Sequence, residues 1–77
     1  PKEAVITSPV VGYMKAAKVK LKVGTSVEAG QVVGEVLALG LANDVASPVA
    51  GEVVEVLVED GAPLEYGSVI ARVRVKE

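Results

Sequence analysis

The sequence contains neither cysteine nor histidine. Without these residues the chain can form no disulfide, no thiolate or imidazole zinc site, and no nucleophile and base pair built on Cys or His. These absences remove most of the nucleophilic and acid–base chemistry that side chains perform near neutral pH. We therefore predict that the chain is not an enzyme, holds no metal ion and is stabilised by packing alone.

Aromatic residues are also scarce, since two tyrosines are the only ones, and the formal net charge is -2. A nucleic-acid surface needs excess positive charge or aromatic stacking platforms, so this composition argues against a nucleic-acid partner. The apolar runs are far shorter than the roughly 18 residues that suggest a membrane span. No signal-peptide pattern is present at the N-terminus. We expect no membrane association and a cytoplasmic location.

Valine dominates what is present: the 77 residues include 18 Val, against 10 Ala, 6 Leu and 2 Ile. Valine favours strands, and several segments alternate apolar and polar residues with a period of two. We therefore predict half-buried strands in three segments, with Val54 and Val56 facing the core. The apolar faces of the three segments are Val19, Leu21 and Val23; Val54, Val56 and Val58; and Val69, Ala71, Val73 and Val75. In the last segment, the prediction places Ile70, Arg72 and Arg74 on the other face.

The chain also contains an internal repeat. The pattern Ser-Pro-Val-x-Gly occurs at residues 8–12 and again at 47–51, an offset of 39 residues. A second pattern, with a glycine at each end and Val-Glu or Leu-Glu between them, occurs at 24–30 and 61–67. We interpret each as a tight loop with one apolar side chain turned inward. Two related half-domains that share one core follow from this repeat.

In their order along the chain, these segments resemble the biotinyl/lipoyl carrier-domain family, and in particular its biotin carboxyl carrier members associated with acetyl-CoA carboxylase. The resemblance implies an all-β fold: a flattened barrel or sandwich of two four-stranded antiparallel sheets with a quasi-twofold internal repeat. It implies a single domain over residues 1–77, with half-repeats at about 5–38 and 43–75. The segments that carry it are 8–12, 23–24, 27–34, 53–61 and 69–70.

Members of this family carry their cofactor on a lysine at the tip of an exposed hairpin, with a methionine on each side. The resemblance places this motif on Leu39, Gly40 and Leu41, so that Gly40 occupies the acceptor position. Between Gly24 and Ser68 there is no Lys or Arg, although eight acidic residues are present. Since biotin or lipoate attaches to an amine, we expect no cofactor unless a lysine is restored. The glycine alone is explained by a hairpin turn with positive φ.

Two groups of side chains are candidate contact sites for a protein partner. Leu37, Leu39 and Leu41 lie near the predicted hairpin tip, where they either form an exposed apolar cluster or fold back onto the barrel. Lys15, Lys18, Lys20 and Lys22 form a basic cluster whose ordinary explanation is the solvent face of a strand. Glu28 and Glu65 occupy equivalent positions in the two halves, which indicates a shared structural role in the loops.

The sequence therefore predicts a biotin carboxyl carrier-like domain without its own acceptor lysine. We expect it to be an accessory or noncatalytic component of a biotin-dependent acyl-CoA carboxylase or decarboxylase system. Its partners would be carboxylase or carboxyltransferase subunits, and a start at Pro1 rather than Met suggests part of a longer chain. Three alternatives stay open: a true carrier mutated at residue 40, the lipoyl-like domain of a membrane-fusion adaptor, and a structural domain of a larger enzyme.

Overall fold

The computed structural model describes residues 2–16 and 21–76. Eight β-strands form the regular structure of these residues, and no helix occurs among them. Accordingly, the described part of the chain has no helix long and apolar enough to cross a membrane. The strands are β1 (Glu3–Thr7), β2 (Gly12–Ala16), β3 (Ser26–Val27), β4 (Val32–Ala38), β5 (Leu41–Ala46), β6 (Gly51–Val56), β7 (Pro63–Leu64) and β8 (Val69–Val75).

The strands form two four-stranded sheets. Sheet A has the order β1-β8-β6-β3, and sheet B has the order β5-β4-β2-β7. All neighbouring pairs are antiparallel. The repeat makes β1 to β4 equivalent to β5 to β8 in the same sequence. Replacing each strand of sheet A by its equivalent gives the order of sheet B, so the two sheets are related by the internal repeat. The predicted all-β fold with two four-stranded antiparallel sheets is confirmed.

The core lies between the two sheets and consists of aliphatic side chains from both halves. Valine suits this core, because a β-branched side chain packs well on a pleated surface. The buried apolar residues in the described part of the chain are Ile6, Met14, Val27, Val33, Val36, Val45, Val53, Leu64, Ile70, Ala71 and Val73.

The repeated Ser-Pro-Val-x-Gly pattern has the same structural role in both halves. Ser8 is buried and its hydroxyl donates a hydrogen bond to the Val10 carbonyl at 2.6 Å. Ser47 is buried likewise and donates to the Val49 carbonyl, also at 2.6 Å. Each hydroxyl thereby satisfies a local backbone acceptor while its own polarity is shielded from the core.

The glycine that ends the pattern allows a close approach of two strands. A Cβ atom at Gly12 would overlap the carbonyl oxygen of Leu37, and one at Gly51 would overlap the carbonyl oxygen of Arg74. Because both obstacles are backbone atoms in the neighbouring strand, no side-chain movement can relieve them. Glycine is therefore required at both positions by the sheets themselves.

The two glycine-bounded loops are also equivalent. Val27 and Leu64 are turned inward and buried, as predicted for these loops. In the second loop Ala62 also packs against the core, from a partly buried position. The first glycine of each loop donates its N–H to a core strand, at 2.7 Å from Gly24 to the Val53 carbonyl and 2.7 Å from Gly61 to the Met14 carbonyl. These bonds tie each loop to the opposite half of the repeat.

β-Bulges change the predicted inward faces of two strands. In its pairing with β1, β8 has one extra residue, Ile70, so that Ile70 and Ala71 are both buried. The prediction that placed Val69 with the core face and Ile70 on the other is therefore wrong, since Val69 is exposed. β4 has an equivalent bulge at Val33 in its pairing with β5.

A third bulge lies in β6 and has no counterpart in β2. The register of β6 with β8 shifts between Val53 and Glu55, which leaves Val54 as the extra residue. Val53 is fully buried at 0% exposure, whereas Val54 is only half-buried. The prediction that Val54 faces the core is wrong because the bulge moves that face by one residue. Val56 packs against the core from a partly buried position, as expected.

The first predicted alternating segment, residues 19–23, is not a strand in its described part. Val19 lies outside the described residues. Leu21 is partly buried against the core, but Val23 is exposed and lies in a turn with Gly24, whose φ is 94°. The N–H of Thr25 donates to the Lys22 carbonyl at 3.1 Å across this turn. Turn formation at Gly24 takes precedence over the strand pattern here.

Candidate functional site at the β4–β5 hairpin

A two-residue turn joins β4 and β5. Ala38 pairs with Leu41 at the end of the ladder, and Leu39 and Gly40 form the turn, with φ values of 51° and 77°. Two successive residues with positive φ are typical of a type I′ turn, which matches the right-handed twist of the strands that it joins. The structure thus places Gly40, the residue that the sequence resemblance predicts at the family acceptor position, at the tip of this hairpin.

Leu39 has an unfavourable backbone conformation. It is the one non-glycine residue with positive φ in residues 2–16 and 21–76. A left-handed conformation costs a residue with a Cβ atom about 1 to 2 kcal/mol. Asn or Gly would meet the same turn geometry at lower cost. The leucine is therefore not explained by the needs of the turn.

The three leucines of the hairpin are in contact with solvent. Leu37, Leu39 and Leu41 have relative exposures of 38%, 102% and 70%. The structure therefore shows exposed side chains rather than side chains folded back onto the barrel. They do not share one face, because Leu37 pairs with Ala42 whereas Leu41 pairs with Ala38, which places Leu41 on the opposite face of the hairpin from Leu37. Two further apolar residues nearby are exposed, Val11 in the turn before β2 and Tyr13 in β2. Leu37 pairs with Tyr13 across the sheet.

No amine is present at the tip. An added Cβ atom at Gly40 would have nothing within 4 Å, so space is not what keeps a lysine from this position. The residue types at the tip do not fit the covalent attachment of biotin or lipoate, which needs a primary amine.

The predicted basic cluster is only partly described. Lys15 is exposed on β2, opposite Glu35 in β4, and Lys22 is exposed in the turn before Gly24. Lys18 and Lys20 lie outside the described residues. The described lysines therefore do not form an alternating row on one strand.

The acidic residues form no metal centre in the described ranges. No group of three or more carboxylates lies close enough to hold a metal ion in residues 2–16 and 21–76. Glu28 and Glu65 have exposed side chains, and their roles in the loops are carried by their backbones. The N–H of Glu28 donates to the Gln31 side-chain oxygen at 2.9 Å, and that of Glu65 donates to the Ser68 hydroxyl at 2.9 Å.

Comparison with known proteins identifies the family of this twofold-repeated β-sandwich. The family profile described as "Biotin-requiring enzyme" (biotin/lipoyl) matches residues 4–73. The chain belongs to this family. It is 35% identical over 78 residues to the biotin carboxyl carrier protein of acetyl-CoA carboxylase from Nostoc sp.. That alignment covers 95% of this chain and 43% of the relative, so the chain spans less than half of the relative's length.

Two solved structures show the same fold. A single-chain, multi-domain long-chain acyl-CoA carboxylase matches with a TM-score of 0.86 and 21% identity, over 100% of this chain and 8% of its own. The urea carboxylase of Kluyveromyces lactis matches with a TM-score of 0.81 and 25% identity, over 96% of this chain and 6% of its own. The chain is thus a biotin carboxyl carrier-like domain related to the carrier domains of carboxylases.

Sequence reasoning identified the hairpin leucines but missed the residues beside them. Tyr13 lies in β2 and Pro63 in β7, and the two are paired with each other in sheet B. Their proximity to Leu37 follows from strand order, which the sequence pattern does not give. The internal repeat was a signal in the sequence that could have indicated them. It matches Tyr13 with Glu52 and Pro63 with Ser26, so both positions are apolar in one half and polar in the other.

Proposed function

We propose that this chain is a biotin carboxyl carrier-like domain that lacks an acceptor amine. In this proposal it acts as a noncatalytic accessory component of a biotin-dependent acyl-CoA carboxylase or decarboxylase system. The observation that carries the proposal is Gly40 at the tip of the β4–β5 hairpin, in a segment without Lys or Arg from Gly24 to Ser68.

The retained scaffold supports a role in protein binding. The buried serines and the close-contact glycines preserve the carrier fold in both halves, while the tip has Leu39, Gly40 and Leu41 where the resemblance places methionine, lysine and methionine. A contiguous apolar patch on a protein surface is typical of a contact site, and Leu37 pairs with the exposed Tyr13 in such a patch. The proposed partners are carboxylase or carboxyltransferase subunits in the cytoplasm, with this domain as part of a longer chain.

The first test is the mass of the protein after expression in a host with an active biotin ligase. We expect the unmodified mass for the natural sequence, because the hairpin offers no amine. The matched control is Gly40→Lys, expressed and purified in the same way. A biotin or lipoyl mass increment on any lysine of the natural sequence contradicts the acceptor-free proposal.

The second test addresses the accessory role. Purified biotin carboxylase and carboxyltransferase subunits from the same organism are each titrated with the unmodified domain by isothermal calorimetry. Binding to at least one subunit is expected, with competition against the biotinylated carrier if both use the same dock. If neither subunit binds, the accessory role is wrong even when the mass is unmodified.

A further inference from the structure

An apolar strip crosses the outer face of sheet B. It consists of Ala42 in β5, Leu37 in β4, Tyr13 in β2 and Pro63 in β7, each paired with the next across the sheet. All four residues are exposed, with Tyr13 at 61%. The strip lies next to the hairpin tip, since Leu37 is two residues before Leu39. It presents apolar side chains across the full width of a four-stranded sheet.

The same row of sheet A has the opposite chemistry. There the residues at the equivalent positions are Glu3, Arg74, Glu52 and Ser26, which pair in the same register. Arg74 forms an ion pair with Glu52. The fold therefore accepts a fully polar row at this position, and the apolar row in sheet B is not a requirement of the architecture. It is a specific property of this face.

Negative charge borders the apolar strip. The next row of sheet B has Asp44, Glu35 and Lys15, with the two carboxylates directly opposite each other in β5 and β4. Neither carboxylate forms an ion pair with any residue that the structure describes. In sheet A the corresponding row contains Arg72, which pairs with Glu55 at 2.9 Å. Glu65 follows the β7 end of the strip.

We propose that the apolar strip and its acidic border, the carboxylates of Glu35 and Asp44, form a docking surface for a protein that presents an apolar groove edged with Lys or Arg. Apolar contact supplies the affinity, and charge complementarity sets the orientation and the rate of association. A second copy of this chain is a poor occupant, because its own acidic border would meet this one with like charge. Identifying the occupant as a carboxylase-system subunit rests on the proposed function.

The test exchanges the chemistry of the two equivalent rows. The sheet-A mimic carries Ala42→Glu, Leu37→Arg and Tyr13→Glu, which reproduces the polar row that sheet A already tolerates. It is expected to keep its thermal midpoint and to bind the subunits at least about tenfold more weakly. The control is Glu52→Gln with Arg74→Gln in sheet A, for which unchanged affinity is expected. If the mimic fails to fold, Leu37→Ser with Tyr13→Ser replaces it.

The acidic border has its own variant, Glu35→Gln with Asp44→Asn. We expect a severalfold loss of affinity at low salt and a weaker dependence of affinity on ionic strength, because exposed charges are screened within about 10 Å at 0.1 M salt. Unchanged or stronger binding of this variant overturns the basic-groove assignment. In sedimentation, the natural sequence is expected to be a monomer. If the natural sequence is a dimer and the sheet-A mimic is a monomer, the occupant of the surface is a second copy of this chain and the proposed occupant is wrong.

The outcomes separate the two proposals. If the natural sequence and the folded sheet-A mimic bind a subunit equally well, the docking surface is wrong and the accessory role stands. If the control variant loses as much affinity as the mimic, the surface assignment is also wrong. If the natural sequence binds neither subunit, the accessory role fails and the occupant named here fails with it.

Discussion

Val53 and Val54 provide a direct test of the bulge in β6. Val53 is fully buried, whereas Val54 is half-buried as the extra residue in the pairing with β8. Val53→Ala removes two buried methyl groups, which lowers the free energy of unfolding by about 1.6 kcal/mol from the transfer term alone. The cavity left behind raises the total to about 2 to 3 kcal/mol. For Val54→Ala we expect less than about 1 kcal/mol, because solvent already reaches the side chain.

These differences are large for a domain of this size. One kcal/mol corresponds to about 4 to 8 °C in the thermal midpoint of a domain of 60 to 100 residues. Val53→Ala is therefore expected to lower the midpoint by about 10 to 20 °C, measured by circular dichroism, with a parallel loss in urea unfolding. Val54→Ala is the matched control in the same strand. Equal losses from the two substitutions, or a larger loss at Val54, would refute the bulge and the register derived from it.

Three further predictions concern glycines and the hairpin tip. Gly51→Ala is expected to lower the free energy of unfolding by about 3 kcal/mol or more, because its Cβ would overlap the Arg74 carbonyl. Gly40→Ala should lower it by only about 1 kcal/mol, because of its positive φ. Similar urea midpoints for the two variants would contradict this. Leu39→Asn is expected to raise stability by up to about 1 kcal/mol by relieving the left-handed leucine, and a lower thermal midpoint would show that Leu39 packs on the domain. Gly40→Lys should permit partial labelling by biotin ligase, and more when Leu39→Met and Leu41→Met are added; a folded triple variant that gives no streptavidin gel shift would show that the hairpin geometry has diverged.

The fold class could be predicted from the sequence because its signals are local. Alternating valines indicate strands, and the repeated Ser-Pro-Val-x-Gly pattern fixes two equivalent turns whose serine and glycine each have a defined role. The inward faces were harder to predict. A bulge moves a strand by one residue, and because side chains alternate with a period of two, that shift exchanges the two faces. Val54 and Ile70 were assigned wrongly for this reason.

The candidate site was only partly visible for a different reason. Leu39, Gly40 and Leu41 are consecutive, so a resemblance in sequence locates them together at one turn. Tyr13 and Pro63 join Leu37 only through the pairing of β2 with both β4 and β7. Such pairings depend on the whole strand order, and no local pattern specifies them.

The internal repeat separates structural from functional residues within this one chain. A residue type retained at both equivalent positions is explained by the fold: Gly12 and Gly51 each meet a carbonyl oxygen of the neighbouring strand. A position whose chemistry differs between the halves is under no such constraint. Leu37 and Arg74 occupy equivalent positions, yet one lies in an apolar strip and the other in an ion pair. Because the same backbone supports both, the leucine is not required by the fold of sheet B, and the proposed docking surface accounts for it.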